Sequence, residues 1–134
     1  MIKIATTYLT TYLTTLCLFV ALDAIWLGYV AKRFYRSELG ALMTDSFNIW
    51  AVVAFYLIYA FGVVIFAVAS TNSSRDALLW GALFGFFAYA TYDLTNLATI
   101  RAWPLRLTFV DLAWGTLLTG IVAAAAHGLT RSSH

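Results

Sequence analysis

One cysteine, one proline, two histidines and 10% charged residues are a thin supply for a chain of 134 residues, and each scarcity closes off a class of protein. Cys17 can form no intrachain disulfide and has no cysteine partner for a metal site, so inside its apolar stretch it is expected to pack as a small hydrophobe. Eight basic residues against six acidic ones leave a net charge of only +2, and the cations stand at segment ends instead of in a run. That distribution excludes nucleic acid as a partner. His127 and His134 fall at the opposite side of the membrane from the internal carboxylates, which argues against a zinc site or a Ser-His-Asp arrangement. No segment carries an Asp-x-x-Asp or Asp-x-x-x-Asp pair, which weakens any metal assignment, and no metal ligand or cofactor is assigned.

What fills the chain is hydrocarbon. Hydrophobic residues make up 63% of it and the mean hydropathy is +0.85, the composition of an integral membrane protein. Its length allows about four spans of ~20 residues with short loops, so we expect a single all-α membrane domain over 1–134, a polytopic four-helix bundle. The first span runs from about 4 to 31, and its early threonines, Thr6 to Thr15, can bond back to their own helix or let a neighbour approach. This stretch is too long for a signal peptide, and no small-x-small cleavage site follows it. An interfacial loop, 32–48, opens with Lys32-Arg33-Phe34-Tyr35-Arg36 and has room for an amphipathic turn around Phe34 to Met43.

The second span, 49–70, carries no charge, and its Trp50, Tyr56 and Tyr59 read as interface and packing aromatics. Thr71 to Asp76 form a turn. The third span, 77–100, opens with Gly81 and Gly85 at the spacing of a close helix contact. Arg101 to Arg106 make a basic corner holding Pro104, and the fourth span, 107–126, precedes a polar tail from His127 to His134. Lys32, Arg33, Arg36, Arg101 and Arg106 fall on one side of the membrane, against Lys3, Arg75 and Arg131 on the other. The more basic side is expected to be cytoplasmic, which puts both termini outside.

Against this background three aspartates stand out, because an ionised carboxylate in hydrocarbon is costly and marks function or a specific partner. Counted from their span ends, Asp23, Asp93 and Asp111 lie ~12, ~10 and ~8 Å deep, all in the cytoplasmic half. Asp23-Ala24-Ile25-Trp26 and Asp111-Leu112-Ala113-Trp114 share the pattern Asp-x-x-Trp on antiparallel spans. Each indole N–H can therefore reach the opposite carboxylate, a reciprocal clasp that would explain Asp23 and Asp111 structurally as readily as functionally. Asp93 has no place in that clasp. Tyr89, Asp93 and Asn96 recur at i, i+4 and i+7 with Tyr92 beside them, a face with more hydrogen-bonding capacity than one ion pair needs.

The stretches Leu22 to Gly28, Phe34-Tyr35-Arg36, Ala88 to Asn96, Trp103-Pro104 and Asp111 to Thr116 resemble the bacterial membrane proteins grouped as domain-of-unknown-function family 2177. The resemblance covers essentially the whole chain. It implies a small four-span protein of the bacterial inner membrane whose family-defining residues include the three aspartates, and it supplies no activity. The leading expectation is a polar pocket of Asp23, Trp26, Tyr89, Tyr92, Asp93, Asn96, Asp111 and Trp114 that takes a small or lipid-like ligand. Arg36, Arg101 and Arg106 are candidates for headgroup or phosphate contact. The alternatives are a small proton-coupled transporter, which would need a homo-oligomer to enclose a path, an enzyme acting on lipid phosphates or isoprenoids with Mg2+ held by the aspartates, and a purely structural bundle.

Overall fold

The computed structural model describes residues 1–131, and among these there is no strand. Four helices are long and apolar enough to cross a membrane, in an all-α bundle. Helix α1 covers Ile2–Ile25 and continues into a π-helical turn, Trp26–Val30, which Ala31 closes by donating its N–H to the Trp26 carbonyl at 2.8 Å. A short helix, α2, spans Lys32–Leu39. Helix α3 spans Ile49–Val63 and also ends in a π-helical turn, Val64–Val68. Helices α4, Ser74–Thr99, and α5, Leu105–Thr130, complete the bundle. Both α4 and α5 are longer than the apolar runs suggest, because polar residues at their ends continue the helices.

Local chemistry sets the ends. Asn48 caps α3 by accepting from the Ala51 N–H at 3.2 Å, and Ser73 caps α4 by accepting from the Asp76 N–H at 3.0 Å. Gly40, with φ of 51°, ends α2 in the left-handed region that glycine tolerates best. Pro104 stands immediately before α5, where its missing N–H leaves no intrahelical bond unmade.

The core is built from four-residue stripes. On α1 the buried residues are Thr11, Thr15, Phe19 and Asp23, one face of a helix read every turn. On α4 they are Ala77, Gly81, Gly85 and Asp93, and α5 contributes Asp111, Gly115, Leu118, Thr119, Val122 and Ala126 among others. Each stripe that begins apolar or small thus reaches an aspartate at the same end of the bundle. Phe19, Tyr59, Val63, Leu118 and Val122 fill the middle, while Phe61, Phe66, Phe87 and Leu117 face outward, the arrangement expected of a bundle solvated by lipid.

Helices α4 and α5 approach most closely, because glycines remove the side chains between them. A Cβ on Gly81 would sit 2.6 Å from the Ala123 Cβ, and one on Gly85 would collide with the Gly115 carbonyl and lie 2.6 Å from the Thr119 hydroxyl. The Gly81/Gly85 spacing therefore marks a backbone contact, as expected from it.

Several expectations need correcting. Cys17 is exposed on the outer face of α1, off the Thr15–Phe19 stripe, and so faces lipid instead of packing inside. Only Thr11 and Thr15 of the threonine series are buried; Thr6 and Thr10 bond back to the carbonyls of Ile2 and Thr6 at 2.9 Å and face outward. The amphipathic turn of the interfacial segment begins at Lys32, two residues before Phe34. His127 belongs to α5, not to a tail. It is buried, with its ring nitrogens 3.3 Å from the Thr71 carbonyl and 3.3 Å from the Ser74 hydroxyl, and it fastens the α3–α4 turn to α5. His134 lies outside the described residues.

The glycine contact is testable by unfolding the protein in detergent. Gly85→Ala is expected to lower stability by ~1–3 kcal/mol through overpacking. Gly28→Ala, where nothing lies within 4 Å of the added Cβ, should leave stability unchanged or slightly raised.

Candidate functional site, a buried cluster of carboxylates

Asp23 lies seven residues before Val30, Asp93 six before Thr99, and Asp111 six after Leu105, depths of about 9–11 Å at 1.5 Å per residue. All three are buried, Asp93 completely at 0% exposure. The expected convergence at one end of the bundle is therefore present in the geometry, and the three acids differ sharply in what satisfies them.

Asp23 is saturated. Trp114 Nε1 donates to its Oδ1 at 3.0 Å from α5, and the Tyr56 hydroxyl donates to its Oδ2 at 2.7 Å from α3. One half of the Asp-x-x-Trp clasp is thus direct. The other half is relayed: Trp26 Nε1 donates to the Tyr35 hydroxyl at 3.4 Å, and that hydroxyl in turn donates to Asp111 Oδ1. The indoles of Trp26 and Trp114 stack with centroids 4.2 Å apart and planes 9° from parallel, and this stacking leaves Trp26 beside Tyr35 instead of against Asp111. Burial, with the acceptor carboxylate of Asp111 next, holds the Tyr35 phenol well above its ordinary range, so Tyr35 stays a donor.

Asp93 has no such partner. Both its carboxyl oxygens are shielded from solvent and neither makes a hydrogen bond among the described residues. The group it faces is the carboxyl of Asp111, near enough for direct interaction. Ionised, the two carboxyls are acceptors only, so the pair is completed by a proton shared between them, by an outside donor or by a cation.

The residues around Asp93 separate. Tyr89 is half-buried, its ring pressed flat into the space that Gly115 leaves by having no side chain. Asn96 is half-buried one turn nearer the helix end. Tyr92 is the most exposed of the set, at 57%, edge-on to Trp103 with centroids 5.9 Å apart, and its side chain interacts with Asn96.

The arginines lie elsewhere too. Arg106 reaches Glu38 at 3.9 Å and lies 5.4 Å from the Phe34 ring centroid, while Arg36 and Arg101 are exposed. Among the described residues none of the three aspartates has a cationic partner, and no group of three metal-ligating side chains is close enough to hold an ion. Asp23 could join such a group only by giving up two good donors.

Tyr35 and Tyr56 carry two of the bonds that position the cluster, and both read from sequence as packing or interfacial aromatics. The signal for Tyr56 was available, since a phenol in a charge-free span still needs a partner for its hydroxyl. For Tyr35 there was none, because its inward turn depends on the π-helical end of α1.

A bundle of four membrane-length helices closed around carboxylates at one end defines a polytopic α-helical membrane protein. The chain belongs to the family described as Predicted membrane protein (DUF2177), which it matches over residues 8–128, a stretch that takes in all three aspartates and α2. No curated protein and no solved structure matches it.

The direct half of the clasp can be isolated by substitution. Trp114→Phe keeps an aromatic ring but removes the N–H, and should cost ~0.6–2 kcal/mol of stability in detergent unfolding. In the Asp23→Ala background the same change should cost much less; equal costs in both backgrounds would mean that Asp23 is not the partner of the indole.

Proposed function

We propose that the protein binds a small or lipid-like ligand at this cluster, in the cytoplasmic half of a bacterial inner membrane, with Asp93 receiving the ligand's head. The observation that carries this is the Asp93 carboxyl, wholly buried and with both oxygens unmet. An unpaired buried acceptor is expensive, and native proteins retain one where something else completes it. A cationic or hydrogen-bond-donating head, an ammonium above all, matches what the Asp93–Asp111 pair lacks.

Neighbouring groups support the same chemistry. Asp23, fixed by Trp114 and Tyr56, adds negative potential without moving. The stacked indoles offer a wall whose faces attract cations. Tyr89 and Asn96 supply neutral polar contacts on the same helix face. An anionic phosphate head would meet acids with no arginine among them, so the lipid-phosphate enzyme loses the cations it depends on. The excess of cations at the cluster's end, Lys32, Arg33, Arg36, Arg101 and Arg106, supports a cytoplasmic placement of that end, with both termini outside.

Proton-coupled transport is the second reading, favoured by the facing carboxyls. A proton between Asp93 and Asp111 would satisfy the empty pair, and an arriving cation would displace it. Such a path would require a second copy of the chain to enclose it.

Short-chain amines test the site directly. Hexylammonium is expected to raise the thermal stability of the detergent-extracted protein and hexanoate is not. Asp93→Asn should weaken amine binding by roughly tenfold or more, ~1.4 kcal/mol, while leaving the protein folded. Equal shifts with amine and carboxylate, or an amine shift that survives Asp93→Asn, would reject the assignment. Amine-driven proton flux in liposomes would favour transport over simple binding.

A further inference from the structure

Helix α2 has two chemically distinct faces. Phe34, Tyr35 and Glu38 turn toward the bundle: Tyr35 donates to Asp111, Glu38 pairs with Arg106, and Arg106 lies over the Phe34 ring. Lys32, Arg33 and Arg36 occupy the other face at i, i+1 and i+4, all exposed and, among the described residues, without an ion pair. The only carboxylate on α2 is thus engaged on the opposite side from its three outward cations.

These cations line an open groove of about 480 Å³ together with Gly28, Tyr29 and Val30. Those three residues come from the π-helical turn that ends α1. Gly28 has nothing within 4 Å of where its Cβ would be, so the groove is open at that position. Further along α1, Ile25 and Leu27 are exposed, as are Tyr29 and Val30 themselves. The groove therefore joins uncompensated positive charge to an apolar helix surface, at the end of a membrane-length helix where headgroups lie.

The geometry points to a binding site for an anionic phospholipid, with its phosphate against Lys32, Arg33 and Arg36 and an acyl chain along the exposed apolar residues of α1. The site is separate from the carboxylate cluster and takes a ligand of opposite charge. Free phosphate shares the head chemistry, but it would make no use of the apolar half of the groove.

Native mass spectrometry of the full chain in detergent, with added dioctanoyl phosphatidylglycerol or dioctanoyl phosphatidylcholine, tests this. Phosphatidylglycerol should be retained roughly tenfold better than phosphatidylcholine, and the triple variant Lys32→Gln, Arg33→Gln, Arg36→Gln should abolish that preference. Arg75→Gln, a cation at the opposite end of the bundle, should leave it intact. Should the triple variant not fold, Arg36→Gln alone is expected to reduce the preference roughly threefold. Equal retention of the two lipids, a preference that survives loss of the three cations, or the same loss in Arg75→Gln overturns the site. Inorganic phosphate that displaces the lipid at equal concentration overturns the lipid assignment in favour of a free anion.

Discussion

Asp23 is the point at which three membrane-spanning helices are tied. It is carried by α1, and its two oxygens accept from Trp114 on α5 and Tyr56 on α3. A carboxylate in hydrocarbon is costly, and filling both acceptors of Asp23 requires these helices to meet at this depth and in this rotation. The rest of the bundle follows from that restriction. With α1 fixed against α5, the stacked indoles come into register, and with α4 packed on α5 through Gly81, Gly85 and Gly115, Asp93 is carried to Asp111.

The three acids form a series. Asp23 has two donors, Asp111 has the Tyr35 hydroxyl, and Asp93 has none. Were the cluster only a device for joining helices, the chain could have placed an apolar side chain at position 93, since α4 is already held to α5 by glycine contacts that need no polar bond. An unmet carboxyl makes that joint worse, not better. The burden of explanation therefore falls on Asp93, which packing alone does not account for.

The number of spans and the convergence of the aspartates were legible in the sequence because both follow from chain length and direction: apolar runs of membrane length, and a rise of ~1.5 Å per residue. Asp-x-x-Trp on antiparallel helices likewise foretold the bond from Trp114 to Asp23. Rotation about a helix axis was less legible. Cys17 is misplaced by its angular position, which an almost uniformly apolar span does not reveal, since lipid-facing and core-facing residues are alike in polarity. The relay through Tyr35 was invisible for a different reason: it depends on one extra residue in the turn at Trp26–Val30, a local change of pitch with no signature in residue type. His127 was read as part of a tail because polarity was taken to end the helix, whereas its two hydrogen bonds show a polar residue used as a fastener inside it.

Helix α2 joins the two chemistries of the molecule. Its inner face places a phenol on Asp111, and its outer face presents Lys32, Arg33 and Arg36 to an open groove beside the π-helical turn. Because the helix is only eight residues long and is reached through a π-helical turn, it cannot be held by backbone packing alone; Tyr35, Glu38 and Phe34 are what seat it. The donor of Asp111 and the three cations of the groove are therefore carried by one eight-residue helix, on opposite faces.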